Sequence, residues 1–470
     1  DHPVVSLFLL LVLLLSLFAK IIDFNGLYGA DSYEYVRYSI ALKDYLTHGI
    51  APGKFMWPVI YPFAGALLSI LLSPVQSLQL VSIVAFAAAL IYIFKIINLI
   101  FPEAKTSNTI YTILFCLLSP YFLRLSFCVM SDMLAIAFCT ASLYHTLKHR
   151  FSYEKKEFIY SVILAILAVL THYSSFIILT IPLIVLTVDH YKKSTFTAFT
   201  ISIALISVAL IVIILVQPEI FLNAFYHPLL QKWSFTNFIN SEFNFEDGLH
   251  TYEFPNIIFV LFPFVHPGFC FAGLLFLPMT IESFRKQRIM LLIALSLLIY
   301  LLFLAGTPNQ NIRLLTMAFP LVIIIYFMTF HRLLISVFNS KGKKALLVGS
   351  IIVLQTTLFF FAFKGIRTMN KTERSLCEKL MRYNMAHYPI YTFGMDGAIR
   401  TYGIRNKTIN LWSTKVTTLP QGAFILINER ELNQQWQGKL PMLNWEYIRR
   451  NYQPYPTGIK EGNWMLYGIN

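Results

Sequence analysis

The chain alternates long apolar runs with short polar connections, from Val4 to about residue 363. Uncharged runs of about 18 residues or more are typical of helices that cross a membrane. We therefore predict an all-α polytopic membrane domain over residues 1–363, with about 11 transmembrane helices. The predicted spans are 4–22, 76–98, 108–127, 131–148, 158–171, 174–189, 195–216, 255–279, 289–305, 312–330 and 345–363.

The apolar segment 57–73 is harder to assign, because it has only 17 residues and begins with Trp57 and Pro58. At about 1.5 Å per residue it would barely cross ~30 Å of hydrocarbon. We expect it to lie at the membrane interface, as a juxtamembrane helix within a first external loop at 23–75. The alternative, in which it is a twelfth span, stays open.

Composition and charge support the membrane assignment and predict the orientation of the chain in the membrane. Hydrophobic residues make up 57% of the chain and charged residues only 13%, about half the share of a soluble domain. Of the net charge of +14, residues 364–470 carry +8 and residues 1–363 carry +6. Within residues 1–363 the basic residues cluster in short loops, whereas the loop at 217–254 holds five acidic residues and one lysine. Positive loops stay in the cytoplasm, so the N-terminus is expected inside. This distribution argues against a nucleic-acid partner and for membrane lipids.

The apolar runs stop near residue 364, and strand-like runs follow. They are found at 389–393, 408–412, 423–428 and 464–469, with polar stretches compatible with helices between them. We predict a small extracytoplasmic α/β domain at 364–470. Asn370 and Asn406 each open a short glycosylation sequon there.

Ionisable residues at membrane depth are costly and therefore candidates for function. The predicted topology places eight of them toward the outer side: Asp31, Glu34, Lys54, Arg124, Asp132, His172, His266 and Arg313. Structural explanations compete with function. Asp31 and Glu34 have the spacing of a capping box, Asp132 could cap its own helix, and the arginines could reach lipid headgroups.

Together these residues suit a phosphate-bearing lipid. Arginine forks bind phosphate well, and here Arg313 and Arg124 are candidates, with His172, His266, Glu34 and Lys54 as further substrate contacts. A carboxylate could take a proton from an acceptor hydroxyl or hold a metal that does so. Asp31 and Asp132 are the expected catalytic acids, and a divalent metal ion bound by both is a further expectation.

Four short motifs resemble the GT-C superfamily of polyprenyl-phosphate-dependent glycosyltransferases, in the bacterial branch of protein O-mannosyltransferases and aminoarabinose transferases. They are Gly29-Ala30-Asp31-Ser32-Tyr33-Glu34, Pro58-Val59-Ile60-Tyr61-Pro62, Met130-Ser131-Asp132-Met133 and Asn311-Ile312-Arg313-Leu314-Leu315. The resemblance spans residues 4–330. It implies that Asp31 is the catalytic carboxylate, Asp132 a second acid and Arg313 a phosphate contact. His172 stands where the superfamily usually has a permanent cation.

The expected function is transfer of a hexose or pentose from a polyprenyl-phosphate donor to an extracytoplasmic acceptor, which could be a lipid, a glycan or a protein. The expected location is the bacterial inner membrane. Two other classes stay open. One is a transporter or flippase for a lipid-linked or anionic substrate, although no matching halves of the kind many transporters show are visible. The other is a non-catalytic assembly subunit, for which Asp31 would be buried in a helix cap.

Overall fold

The computed structural model describes residues 2–191, 228–245, 248–270, 273, 288–336, 341–383 and 388–470. The predicted span 195–216 and most of the second half of 255–279 lie outside them. The described helices of the first 336 residues are α1 (His2–Ile21), α2 (Gly29–His48), α3 (Ile60–Leu68), α4 (Pro74–Ile100), α5 (Lys105–Tyr111), α6 (Pro120–Ser126), α7 (Asp132–Ser152), α8 (Lys155–Val169), α9 (Ser175–Tyr191), α10 (Pro228–Gln231), α11 (Asn256–Phe259), α12 (Phe262–Val265), α13 (Pro267–Cys270), α14 (Arg288–Ala305) and α15 (Ile312–Ser336).

Three of the described helices are long and apolar enough to cross a membrane, namely the stretches Pro74–Ile100, Ile312–Arg332 and Ala345–Arg382. Four shorter apolar helices accompany them at Ser6–Ile21, Ser175–Tyr191, Asn256–Cys270 and Ile289–Ala305. These helices indicate an integral membrane protein, but they do not establish the predicted count of 11 spans. The nine residues of α3 are too few to span ~30 Å of hydrocarbon.

Proline breaks two of the predicted spans. The span predicted at 108–127 is bent by 71° between the stretches Thr106–Leu117 and Pro120–Ser126, because Pro120 cannot continue the hydrogen-bond ladder of the preceding turn. The preceding stretch includes a π-helical segment at Thr112–Leu117. In the described part of 255–279, Pro263 and Pro267 fall within or begin the short helices α12 and α13. Neither segment is the straight helix that hydropathy alone suggests.

The longest helix, α16 (Lys341–Arg382), has 42 residues and contains no proline. It is therefore about 63 Å long, roughly twice the hydrocarbon thickness. The change in composition near residue 364 does not interrupt it, since the polar half continues the same helix as the apolar half. The expected boundary at residue 364 thus falls inside one element.

A mixed five-stranded sheet follows α16. Its elements are β3 (Ile390–Thr392), α17 (Asp396–Thr401), β4 (Thr408–Asn410), β5 (Phe424–Asn428), α18 (Glu429–Gln435), α19 (Leu440–Tyr452), β6 (Tyr455–Glu461) and β7 (Trp464–Gly468). The strand order is β4-β3-β5-β7-β6, with the first three strands parallel and the last two pairings antiparallel. The four predicted strands are confirmed. Strand β6 was not predicted, because Pro456 and Gly458 interrupt its pattern; proline is tolerated in this edge strand.

A second, two-stranded sheet lies in the acidic loop, formed by β1 (Glu242–Phe245) and β2 (Gly248–Thr251). It contacts the C-terminal region, since a Cβ on Gly248 would lie 2.5 Å from the Gln435 side chain. The main hydrophobic core joins the helices to this region, because it contains both the buried helix residues Ile323 and Phe86 and the sheet residue Leu426.

Candidate functional site

Three helices begin at the same place, and each carries one of the predicted site residues in its first turn. Asp31 is the third residue of α2, Asp132 the first of α7 and Arg313 the second of α15. Helix N-termini carry partial positive charge and attract anions. The fold therefore brings three electropositive helix ends and three charged side chains together.

The capping explanation for Asp31 is wrong. The N-cap of α2 is Tyr28, whose own side chain makes no capping hydrogen bond. Glu34 does not reach back to the helix start, because it pairs with Arg37 at 2.5 Å. Asp132 likewise is not an N-cap, since Ser131 holds that position in α7.

Arg313 joins the two aspartates, which are 101 residues apart in the sequence. Its Nε and Nη2 donate to Oδ2 of Asp132 at 3.2 and 3.0 Å, and its Nη1 donates to Oδ2 of Asp31 at 2.9 Å. The interpretation of Arg313 as a residue that extends to lipid headgroups is therefore wrong, because its guanidinium is turned inward and paired with both acids.

The two aspartates differ sharply in exposure. The Asp132 side chain is completely buried, the Arg313 side chain is 17% exposed and the Asp31 side chain is 43% exposed. Asp132 therefore binds the Arg313 guanidinium from the protein interior, whereas Asp31 binds it on the side that is exposed to solvent. We expected both aspartates to be catalytic, but only Asp31 lines the adjacent cavity.

That cavity has a volume of about 200 Å³. Its walls combine charged, amide and aromatic side chains, among them Asp31, Arg313, His172, Asn309, Asn311, Tyr35, Trp57, Tyr173 and Phe303. Such a mixture of apolar surface and a few convergent polar groups is typical of a small-molecule site. The aromatic rings offer flat faces, and the amides offer donors and acceptors for hydroxyl groups.

His172 joins the site from the turn between α8 and α9. Its Nε2 is 3.8 Å from Oδ1 of Asp132, and its Nδ1 is 2.9 Å from the Ser174 hydroxyl. When protonated, this histidine adds a second cation beside Arg313. The site thus has one permanent and one titratable cation.

Four other predicted residues lie outside the cavity lining. Arg124 donates to the Ala362 carbonyl at 3.1 Å and lies over the ring of Tyr121. His266 stacks on the rings of Tyr121 and Phe262 and accepts a hydrogen bond from the Gly268 amide. Glu34 pairs with Arg37, whose guanidinium also donates to the Lys54 carbonyl at 2.9 Å. These contacts of the four residues are with other residues of the fold, and none of the four lines the cavity.

A divalent metal ion does not fit between Asp31 and Asp132 in this arrangement. The guanidinium of Arg313 already lies between their carboxylates. Among the described residues, no three His, Cys, Asp or Glu side chains are grouped so that they could share a metal ion. The expectation of a metal held by both acids is not supported by this geometry.

Solved structures with a similar fold are known. The chain superimposes on ArnT from Cupriavidus metallidurans with a TM-score of 0.66 in the apo state and 0.67 for ArnT bound to undecaprenyl phosphate, each at 12% identity, covering 99% of this chain and 97% of ArnT. The chain has the fold of ArnT. It also matches the oligosaccharyltransferase of Archaeoglobus fulgidus, at a TM-score of 0.55 and 12% identity, over 98% of this chain and 74% of that one. No protein-family model and no curated protein sequence matches.

The resemblance to the GT-C superfamily that the motifs indicated is thereby confirmed at the level of the fold, since ArnT and the archaeal enzyme both belong to it. Sequence reasoning missed Tyr35 and Asn311 as cavity residues. Both carried a usable signal, because Tyr35 is four residues after Asp31 on one face of α2 and Asn311 is two residues before Arg313. Asn309 and Phe303 reach the cavity only through the tertiary packing of α14 and α15.

Proposed function

We propose that this protein transfers a sugar from a polyprenyl-phosphate donor to an acceptor at the external face of the membrane. The observation that carries the proposal is the cavity where Asp31 and Arg313 meet at three helix N-termini. ArnT has been solved with undecaprenyl phosphate, and the archaeal oligosaccharyltransferase with dolichol phosphate and an inhibitory peptide. These relatives of the fold support a lipid-linked phosphate as the donor here.

Arg313 is suited to hold the phosphate. A guanidinium has five N–H donors, and the two aspartates take three of them. Two donors remain for phosphate oxygens, and His172, when protonated, adds positive charge beside the same Asp132 carboxylate. Buried Asp132 keeps the guanidinium in place, so it acts as a positioning residue.

Asp31 is suited to act as the base. In the proposed step, an acceptor hydroxyl attacks the anomeric carbon of the sugar, and the bond between that carbon and the phosphate oxygen breaks. The proton of the hydroxyl passes to the Asp31 carboxylate, and the bonding electrons leave with the polyprenyl phosphate. Arg313 and the helix N-termini stabilise the charge that develops on the departing phosphate.

Two observations favour this reaction over the other classes considered. A non-catalytic subunit was expected to bury Asp31 in a helix cap, but its side chain is 43% exposed and lines a cavity. A transporter would need charged residues along a path between two faces. The charged and titratable side chains of the cavity, Asp31, Arg313 and His172, instead gather at one end of the helix bundle.

The test is transfer of radiolabelled sugar by the purified protein in nanodiscs, using undecaprenyl-phosphate-linked mannose and aminoarabinose with membrane lipids as acceptors. Asp31→Asn should lower the rate about 10²- to 10⁴-fold, the usual contribution of a general base, while undecaprenyl phosphate still binds. Asp44→Asn is the matched control, because Asp44 lies farther along α2 and outside the cavity lining. Full activity of Asp31→Asn would exclude this mechanism.

A further inference from the structure

The polar end of α16 contacts the segment that leads into α2 and the first turn of α2. Three side chains, Asn370, Glu373 and Arg374, project from one face of the helix, because residues three and four positions apart are neighbours on a helix surface. All three contact residues between Asp23 and Tyr33. We call this set the α16 clamp.

Asn370 holds the approach to α2. Its side-chain amide donates to Oδ1 of Asn25 at 2.7 Å and to the Leu27 carbonyl at 2.6 Å, and Asn370 is only 1% exposed. Buried amides that satisfy a backbone carbonyl fix loop geometry, because losing them would leave that carbonyl unpaired. The same contacts make the Asn370 sequon inaccessible in the folded protein.

Glu373 holds the first turn of α2 itself. Its carboxylate accepts a hydrogen bond from the Tyr33 hydroxyl at 2.5 Å and lies near the backbone amide of Gly29, the first residue of the helix. Glu373 and Tyr33 are 4% and 3% exposed. A carboxylate at a helix N-terminus compensates the unpaired amides and the partial positive charge there.

Tyr33, the hydrogen-bond partner of Glu373, lies two residues after Asp31, and Gly29, whose amide is near the Glu373 carboxylate, lies two residues before it. We propose that Glu373 is a positioning residue that fixes the first turn of α2 and so places the Asp31 carboxylate at the cavity, a role that rests on the proposed glycosyl transfer. Asp31 itself is nearly half exposed, so packing around its own side chain holds it less firmly than the buried clamp holds the backbone on either side.

The α17 helix reinforces the same turn. Gly397 packs against Tyr33 so closely that a Cβ at position 397 would lie 2.8 Å from the Tyr33 Cβ. Asn25 in turn donates to the Tyr402 hydroxyl at 3.2 Å. The C-terminal region therefore contacts the approach to α2 and its first turn, yet contributes no described residue to the cavity lining. Its contribution to transfer is the placement of Asp31.

The experiment uses the full-length protein in nanodiscs and two readouts. Hydrogen–deuterium exchange of the peptide covering residues 23–36 reports whether the turn is held. Transfer from labelled undecaprenyl-phosphate sugars, with separate values of kcat and KM, and binding of undecaprenyl phosphate report whether Asp31 is placed. The variants are Glu373→Ala, Glu373→Gln and Tyr33→Phe. Glu373→Gln keeps an acceptor oxygen and should restore part of the activity.

Glu461→Gln is the matched control, because it removes a carboxylate that contacts the same helix elsewhere. Glu461 pairs with Lys379 at 2.5 Å, and that hydrogen bond holds the pKa of the Glu461 carboxyl below its usual range. We expect Glu373→Ala to speed exchange in 23–36 and to lower kcat about 10- to 100-fold, the scale of a small misplacement of a reacting group. KM and undecaprenyl phosphate binding should stay within about twofold of wild type if only orientation is lost, and Glu461→Gln should change neither readout.

Three results would overturn the proposal. Unchanged exchange in both Glu373→Ala and Tyr33→Phe means that the clamp does not hold the turn. Faster exchange with unchanged kcat means that the turn does not place Asp31. An equal loss of kcat in Glu461→Gln means that general docking of the C-terminal region matters instead. Absence of transfer by the wild-type protein would overturn the proposed function as well, and this distinguishes the two failures.

Discussion

Because Asp132 is buried and Asp31 is not, we predict that loss of the Asp132–Arg313 pair lowers stability, whereas loss of the Asp31 carboxylate lowers activity. Replacing Arg313 by methionine leaves the Asp132 carboxylate, which is completely buried, without its guanidinium. Charges about 4 Å apart interact by about 4 kcal/mol at an effective dielectric constant near 20, and removing one partner of a buried pair typically costs about 3–5 kcal/mol. We expect a loss of that size in the free energy of unfolding of Arg313→Met.

Asp31→Asn removes the other partner of Arg313, but this side chain is 43% exposed. A pair that is open to solvent contributes about 0–1 kcal/mol, so Asp31→Asn should stay close to wild type in stability while losing activity. The double variant Asp132→Asn with Arg313→Met should recover at least about 2 kcal/mol relative to Arg313→Met alone, because no uncompensated charge is left buried.

The assay is unfolding in mixed micelles of dodecylmaltoside and sodium dodecyl sulfate, followed by circular dichroism. The double variant separates the loss of a charge pair from the loss of packing around the arginine stem. Equal destabilisation by Arg313→Met and Asp31→Asn would refute the reasoning. So would a double variant that is no more stable than Arg313→Met.

Two further predictions concern glycines at close approaches. Gly26→Ala should destabilise the protein strongly in the same unfolding assay, because its φ is +87° and a Cβ would lie 2.8 Å from the Phe127 carbonyl oxygen. Gly29 also has a positive φ, +67°, but no atom lies close to the position of a Cβ. Gly29→Ala should therefore cost only about 1–2 kcal/mol, the strain of a left-handed conformation. Gly397→Ala should lower transfer activity by pushing Tyr33 aside, while undecaprenyl phosphate binding is retained. A Gly26 variant as stable as the Gly29 variant, or a fully active Gly397→Ala, would contradict these expectations.

Local patterns in the sequence predict much of the fold. The apolar runs locate α4, α7, α14 and α15 because a helix that faces lipid or a helical core must be apolar over most of its length. Four of the five strands of the C-terminal sheet are predicted because β-branched and aromatic residues cluster between polar stretches. The continuity of α16 could not be predicted, since the same helix changes from apolar to polar where its surroundings change.

The site was only partly accessible from the sequence. Asp31, Asp132, Arg313 and His172 stood out because charged or titratable groups are rare in apolar surroundings. The same criterion also selected Arg124 and His266, which contact backbone groups and aromatic rings elsewhere in the fold. The rarity of charge identifies residues whose burial is unfavourable. Only the tertiary structure shows whether a ligand or other residues of the protein compensate that burial.

Helix α16 is long enough to connect the apolar region of the membrane domain with the polar contacts near α2. A rigid rod of about 63 Å displaces its far end by roughly 1 Å for each degree of tilt, which is enough to lengthen a hydrogen bond beyond its useful range. A change in the thickness of the surrounding hydrocarbon is one influence on the tilt of an apolar helix. The polar part of α16 carries Asn370 and Glu373. The bilayer and the first turn of α2, which carries Asp31, are therefore connected through a single continuous helix.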